Sequence, residues 1–150
     1  MKQTCSSFAK INLFLYVTAR REDGYHDLCS LMVQIDLCDT LYFDFSQDVL
    51  SVSCNHTMVP EDDTNLVMKA ARLFYRALEN KQQAPDQGLG IYIDKHIPPG
   101  GGLGGGSSNA AAVLKALNHY HGEPFSLDQL MALGLQLGAD VPFFIFGKPA

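Results

Sequence analysis

Six of the seven consecutive positions 100–106 are glycine, within the stretch IPPGGGLGGGSSN. The segment before them, LGIYIDKHI, is rich in β-branched and apolar residues, which predicts a strand. The segment after them, from about Ser107 to Tyr120, carries apolar side chains at helical spacing, which predicts a helix. Because glycine is entropically unfavourable to order, this density indicates a backbone that adopts positive φ angles or approaches a ligand closely.

A strand, a glycine loop and a helix start together favour the binding of an anion. The first N–H groups of a helix lack partners within the helix, and the helix dipole adds positive potential there. The sequence therefore predicts a phosphate site, against the alternative of a tight or flexible turn without a ligand. A Walker A motif is excluded because no lysine precedes Ser107 or Ser108. The dinucleotide pattern GxGxxG is met by Gly100, Gly102 and Gly105, but so many glycines make that match weak.

The remaining segments predict a mixed fold of strands and helices. Residues 9–19 read as a strand buried on both faces, residues 28–45 as one long or two short strands, and residues 49–55 as another. A turn is expected at Asp23-Gly24 and a loop at residues 84–90. Helices are expected over 62–83, capped by Asp63 or Thr64, and over 126–138, where Ser126 and Gln129 have capping-box spacing. This order predicts an α/β or α+β fold, without a regular βαβ alternation.

Length, charge and cysteine content narrow the function classes. The 150 residues suggest one domain, and the formal net charge of -5 argues against a nucleic-acid partner. No stretch reaches the roughly 18 apolar residues of a membrane span, so we expect no membrane partner and a cytoplasmic location. The four cysteines show no CxxC spacing and no histidine cluster, which favours buried free thiols over zinc.

Three stretches carry a resemblance to the GHMP kinases, namely AKINLFLYVTARREDGYHDL, PPGGGLGGGSSNAA and LGADVPFF. They lie in the family's order and span nearly the whole chain. The resemblance implies the two-layer α+β fold of a GHMP kinase N-terminal domain, similar to the second domain of ribosomal protein S5. It also implies that residues 1–150 form an ATP-binding domain whose C-terminal partner domain is absent from this chain.

The resemblance further implies ATP-dependent phosphoryl transfer, with Mg²⁺ accompanying the nucleotide. Lys10 and Asp140 match the catalytic lysine and aspartate, the aspartate serving as general base. Without the family, Asp140 would read as a cap or turn residue and Lys10 as a strand lysine. The expected ATP-binding residues are Pro98, Pro99, Gly100, Gly101, Gly102, Leu103, Gly104, Gly105, Gly106, Ser107 and Ser108, together with Asn65 and Lys95 on the adenine side.

The resemblance also implies a small-molecule substrate, a cytidine diphosphate-linked methylerythritol of isoprenoid precursor biosynthesis. The group that would be phosphorylated is its 2-hydroxyl. Tyr25 and His26, in the segment DGYH, match the residues that meet the cytidine. Asn12 lies on the same strand face as Lys10 and is expected to hydrogen-bond the substrate alcohol or Asp140. We expect no metal ligand from the protein, apart from the hydroxyls of Ser107 or Ser108 near Mg²⁺.

Two other readings stay open at this point. Another GHMP kinase would share the motifs and phosphorylate a different alcohol, although DGYH favours the cytidyl substrate. A non-catalytic nucleotide- or RNA-binding module would share the fold, although the acidic balance disfavours RNA.

Overall fold

A mixed four-stranded sheet and four helices make up the part of the chain that the structure describes. A computed structural model describes residues 1–83 and 88–150. The strands are β1 (Lys2–Arg20), β2 (His26–Asp44), β3 (Leu50–Cys54) and β4 (Leu89–Asp94). The helices are α1 (Leu66–Asn80), α2 (Gly105–Tyr120), α3 (Leu127–Leu137) and α4 (Val141–Phe146). The fold class expected from the sequence is confirmed.

The sheet has the order β1-β2-β4-β3. Strands β1 and β2 form a long antiparallel hairpin, β2 pairs antiparallel with β4, and β3 pairs parallel with β4. Within the described residues, β3–β4 is the one parallel pair, so the all-parallel dinucleotide-binding architecture is excluded. Only residues 88–90 of the loop expected at 84–90 are described, and 89–90 belong to β4; residues 84–87 lie outside the described ranges.

The core lies between one face of the sheet and the helices. Leu41 and Phe43 of β2, with Ile91 and Ile93 of β4, are almost completely buried, whereas Tyr42 between the first two is 45% exposed. This alternation follows from the two-residue period of a strand, which sends successive side chains to opposite faces. The buried face packs against α1 and α2, and the result is a two-layer arrangement.

Local signals fix the ends of the helices. Ser126 and Gln129 form the expected capping box of α3, and Gly138 is its C-cap. The predicted caps of α1 were wrong: the cap is Asn65, whose side-chain oxygen accepts a hydrogen bond from the N–H of Val67. Helix α2 begins at Gly105, two residues before the expected start.

Helix α4 was not expected from the apolar run at residues 139–150. It is six residues long, carries a proline in its first turn, and ends at Gly147 with φ of +74°. Proline suits the first turn because its missing N–H would have no partner there. Asp140 is the N-cap residue of this short helix.

The prediction that residues 9–19 are buried on both faces was wrong for most of the strand. Ala9 and Lys10 are buried, but Leu13, Tyr16 and Val17 are 58%, 66% and 63% exposed. Residues 26–44 form one long strand, so of the two expected alternatives, one long or two short strands, the first is confirmed. The β1–β2 hairpin turns around Asp23-Gly24, as expected. The outer part of this hairpin extends past the helices, so no second layer covers it among the described residues.

The cysteines are free thiols, as expected, but none of them is fully buried. Cys5, Cys38 and Cys54 are partly exposed and Cys29 is exposed, so the predicted burial was wrong. Over the described ranges, no helix is long and apolar enough to cross a bilayer.

Candidate active site

The glycine loop, residues 98–106, connects the end of β4 to the start of α2. Gly100, Gly102 and Gly104 have φ of +75°, +72° and +71°, the left-handed region in which side chains other than glycine are strained. A Cβ at Gly100, Gly102 or Gly106 would meet nothing within 4 Å, so these residues line open space. The loop borders a groove of about 260 Å³, which Lys95 and Leu66 also line.

Helix α2 presents an uncapped N-terminus to this groove. Its N-cap, Gly104, has no side chain to accept a hydrogen bond, and no acidic residue lies in the first turn. Helix starts leave N–H groups without intrahelical partners, and the dipole places positive potential there. An anion in the groove would satisfy both, since it can accept these hydrogen bonds and lies at the positive end of the helix.

Lys10 connects the glycine loop to Asp140. Its backbone N–H donates to the carbonyl of Leu103 at 2.9 Å, and its Nζ lies 3.6 Å from Oδ2 of Asp140. The lysine side chain is 9% exposed, whereas the aspartate side chain is 38% exposed. An ammonium that is mostly buried needs such a partner, and Asp140 keeps one side open to a ligand.

Asn12 lies next to the lysine on β1. The Lys10 Nζ donates to Oδ1 of Asn12 at 2.6 Å, a contact that is possible because residues two apart on a strand share one face. The Asn12 amide then donates to Ser30 Oγ at 2.5 Å, and Ser30 Oγ donates to the carbonyl of Phe14. The hydrogen bonds of the Asn12 side chain thus go to Lys10 and Ser30, and the expected bond to Asp140 is not among them. This chain of hydrogen bonds fixes the direction in which the ammonium points, so Lys10 reaches Asp140 from a defined position.

Close packing at Gly104 brings α4 against the loop. A Cβ on Gly104 would lie 2.8 Å from Cζ of Phe144 and 3.1 Å from Cγ of Lys10. Glycine at this position therefore allows the loop, Lys10 and α4 to meet, in addition to permitting the positive φ.

The two serines after the glycine run have different surroundings. Ser108 is 4% exposed, and its hydroxyl is 2.7 Å from that of Ser7 on β1. The Ser7 hydroxyl is also 2.8 Å from Oδ1 of Asn109. Ser107 is partly exposed and lines the groove. Ser107 therefore borders the groove, whereas the hydroxyl of Ser108 is engaged with Ser7.

Asn65 and Lys95, the residues expected on the adenine side, both make structural contacts. The Asn65 amide donates to the carbonyl of Pro60 at 2.7 Å while its oxygen caps α1. The Lys95 side chain is 4% exposed and forms an ion pair of 2.5 Å with the fully buried Asp39. Lys95 lines the groove, as does Leu66, the residue that follows Asn65 in the sequence.

Tyr25 and His26 lie at the tip of the β1–β2 hairpin. Tyr25 is 73% exposed, and its N–H donates to Oδ1 of Asp23 within the turn. Along an extended strand the ten residues from Lys10 to Arg20, where β1 ends before the tip, span at most about 33 Å. Among the contacts of the described residues, none joins Tyr25 or His26 to Lys10, Asp140 or the loop. The structure therefore keeps these two residues apart from the others.

Two buried polar residues, Ser7 and Asp39, belong to the surroundings of the loop and were not expected from the sequence. They are 2% and 0% exposed. An aspartate inside the apolar run at residues 35–43 was the available signal, because a carboxylate there must either face solvent or have a buried partner.

Within the described ranges, no group of three or more histidine, cysteine or acidic side chains could hold a metal ion. The arrangement as a whole offers backbone N–H groups and open space for phosphates, with a paired ammonium and carboxylate at one end. Such a set can position an anion and transfer a proton at an adjacent hydroxyl.

Comparison with known proteins agrees with this chemistry. The family model described as GHMP kinases N terminal domain matches residues 65–148, more than half of the chain. The chain is 50% identical over 146 residues to a 4-diphosphocytidyl-2-C-methyl-D-erythritol kinase of Herminiimonas arsenicoxydans, covering 97% of this chain and 50% of that protein. It is 49% identical, with the same coverage, to the kinase of that name from Janthinobacterium sp. (strain Marseille).

A solved structure shows the same relationship in three dimensions. The crystal structure of a 4-(cytidine 5'-diphospho)-2C-methyl-D-erythritol kinase superposes with a TM-score of 0.80 at 39% identity. The match covers 99% of this chain and 50% of that one. The chain thus spans about half the length of the relatives it matches.

Proposed function

Because the chain belongs to the GHMP kinase family through its N-terminal domain, we propose that it takes part in ATP-dependent phosphorylation of a small-molecule alcohol. The proposed acceptor is the 2-hydroxyl of 4-diphosphocytidyl-2-C-methyl-D-erythritol, the compound named in the matches described above. The single observation that carries the proposal is the double role of Lys10. Its backbone supports the glycine loop and its ammonium faces Asp140, which joins the phosphate site to the proton acceptor.

The glycine loop would hold the phosphates of ATP. Open space at Gly100, Gly102 and Gly106 permits close approach to backbone, and the uncapped start of α2 supplies hydrogen-bond donors. ATP supplies the transferred phosphoryl group, and the protein contributes mainly position and charge. Lys95, Leu66 and the start of α1 would form the edge of the nucleotide site.

Asp140 would accept the proton of the substrate hydroxyl, because it combines partial exposure with a fixed position. Lys10 would orient that carboxylate, and its positive charge would stabilise the charge that develops on the transferred group. Asn12 holds the ammonium in place through its side-chain oxygen. Its exposed position also leaves it near the space where an alcohol would meet Asp140.

Magnesium fits this site as an ion that arrives with the nucleotide and neutralises phosphate charge. Ser107 would be the protein oxygen nearest to it, since the hydroxyl of Ser108 is engaged with Ser7. Asn109 lies buried against Ser7 and offers no carboxylate. The nucleotide phosphates and water would supply the remaining oxygen ligands.

Tyr25 and His26 would meet the cytidine end of the substrate. An exposed tyrosine ring at the end of the hairpin is available to stack on a pyrimidine. This assignment carries the choice of the cytidyl compound over the alcohols of other GHMP kinases.

The test is the release of ADP from Mg-ATP by this chain, with the cytidyl compound and with homoserine and mevalonate as control alcohols. We expect ADP release only when the cytidyl compound is the alcohol supplied. Release with a control alcohol instead would replace the proposed substrate by that of another GHMP kinase.

If no alcohol supports release, the assay is repeated with the chain extended to the length of its relatives. Release from the extended chain alone would show that both halves are needed. Tight ATP binding without turnover in the extended chain would refute the kinase and favour a non-catalytic nucleotide-binding module.

A further inference from the structure

Ser7 and Asp39 face each other across the β1–β2 hairpin. They are register partners in the antiparallel ladder, and both are buried, at 2% and 0% exposure. Directly opposed residues project their side chains to the same side of a sheet. We call this pair the Ser7–Asp39 rung. Its two side chains contact the chain on either side of the glycine loop.

Asp39 holds the entry to the loop. Its Oδ1 accepts hydrogen bonds from the backbone N–H groups of His96 and Ile97, each at 2.7 Å. The last pair of the ladder between β2 and β4 is Thr40 with Asp94, so Asp39 has no backbone partner on β4 in that ladder. The carboxylate therefore replaces the missing strand pairing immediately before two prolines, which have no N–H to donate.

A carboxylate is needed at this position because of Lys95. The lysine Nζ lies 2.5 Å from Oδ2 of Asp39 and 2.8 Å from the point where a Cβ on Gly105 would stand. The ammonium thus lies against the first residue of α2, the positive end of that helix, where a cation is unfavourable. The buried negative charge of Asp39 compensates for it.

Ser7 holds the exit from the loop. Its hydroxyl lies 2.7 Å from the hydroxyl of Ser108 and 2.8 Å from Oδ1 of Asn109. Both partners are buried residues in the first turns of α2. One rung of the hairpin therefore fixes residues 95–97 and 108–109, the two ends between which the glycine loop runs.

We propose that the Ser7–Asp39 rung is a positioning element that keeps the glycine loop in its anion-binding conformation before the nucleotide arrives, an inference that rests on the proposed function of the loop. Six glycines have wide conformational freedom, so a loop with free ends would have to be ordered by the ligand. Fixing both ends in advance reduces the ordering that binding requires, which strengthens affinity without any contact to the ligand. Asp39 and Ser7 touch neither phosphate nor substrate in this scheme.

The test compares the variants Asp39→Asn and Ser7→Ala with a control at the other end of α2. The control is Asn118→Ala, which removes two buried hydrogen bonds to the backbone of Phe125 far from the loop. Amide hydrogen exchange of residues 100–106 is measured without nucleotide, and affinity for a non-hydrolysable ATP analogue is measured on the same samples. All measurements are made well below each variant's unfolding temperature.

We expect exchange at the loop to accelerate by about tenfold or more in both rung variants, because local opening becomes easier. We expect the dissociation constant of the ATP analogue to rise by about tenfold, equivalent to 1.4 kcal/mol. Ser7→Thr keeps the hydroxyl and should restore both values. Asn118→Ala should lower the unfolding temperature while leaving loop exchange and affinity unchanged.

Folded rung variants with unchanged loop exchange would overturn the proposal, as would an equal effect in Asn118→Ala. If Asp39→Asn does not fold, Ser7→Ala and Ser7→Thr decide the matter, because they alter no charge. Should the chain bind no ATP even when it is extended to the length of its relatives, the proposed function fails, while the exchange comparison still decides whether the rung positions the loop.

Discussion

Replacing Gly106 by alanine should raise the stability of the protein and weaken nucleotide binding at the same time. Gly106 is the second residue of α2, it does not have a positive φ, and a Cβ there would meet nothing within 4 Å. The fold therefore accepts the methyl group without strain. The same open space borders the groove in which we place the phosphates.

The size of each effect follows from this geometry. Alanine in place of a helical glycine stabilises by about 0.5–1 kcal/mol. For a domain of this size that corresponds to an increase of about 1–4 °C in unfolding temperature. The methyl group would prevent a phosphate oxygen from reaching the backbone N–H groups. Losing one hydrogen bond to a charged group costs about 1.5–3 kcal/mol, or roughly 10- to 100-fold in affinity.

Thermal unfolding followed by circular dichroism gives the first quantity, and calorimetric titration with a non-hydrolysable ATP analogue gives the second. Gly122→Ala is the matched control at the other end of α2. Gly122 has φ of +77° and open space around it, so alanine there is strained by about 1–2 kcal/mol without touching the groove. It should lower the unfolding temperature and leave affinity unchanged.

The reasoning would be refuted by a Gly106→Ala variant that is more stable and binds the analogue as tightly as the unsubstituted chain. That result would mean that phosphate does not approach the start of α2. Gly104 could not serve the same purpose, because a side chain there collides with Phe144 and Lys10 before any ligand is present.

Three further predictions concern the carboxylate, the core and the alkaline limit of stability. Asp140→Asn should leave nucleotide binding nearly unchanged and reduce turnover by about 100-fold or more. Turnover is measured as ADP release by the chain extended to the length of its relatives. Near-normal turnover would exclude Asp140 as the base. Asn118→Ala should destabilise the protein by about 1–3 kcal/mol in denaturant unfolding, because it leaves the buried N–H and carbonyl of Phe125 without partners; an unchanged midpoint would show that water replaces the amide. Burial raises the pKa of the Cys5 thiol from its ordinary 9.0 to about 11. Between these values the unfolded chain releases the proton and the folded chain retains it, so the free energy of unfolding falls as pH rises, by up to about 3 kcal/mol. Burial lowers the pKa of the neighbouring Lys115 and gives the opposite slope, so the thiol contribution is the difference between the unsubstituted chain and Cys5→Ala; parallel curves for the two would contradict it.

Short-range patterns in the sequence predicted the elements that carry the site. The strand before the glycine run, the helix after it and the capping box at Ser126 all depend on residues a few positions apart. The pairing of Lys10 with Asp140 was expected only through the resemblance to GHMP kinases. Their separation of 130 positions leaves no local pattern that could indicate the ion pair of 3.6 Å.

The wrong predictions concern features that short-range sequence patterns do not determine. Residues 11–17 have the apolar composition of a doubly buried strand, yet whether a second layer covers them depends on how far the helices reach. The cap of α1 was assigned to Asp63 or Thr64, whereas Asn65 takes that position because the preceding turn directs its oxygen to the N–H of Val67. Helix α4 is too short for a periodic signal to be recognised.

The sequence by itself determined the glycine loop, its helix and the mixed α/β class, because backbone conformation and helical or strand periodicity depend on neighbouring residues. Only the tertiary structure decided that Ser7 and Asp39 lie opposite each other and hold the two ends of that loop. Ser7 carries no signal in the sequence, and Asp39 carries only its position within an apolar run. Their role arises from the register of one hairpin, which places both on the buried face of the sheet where an unpaired polar group is unfavourable.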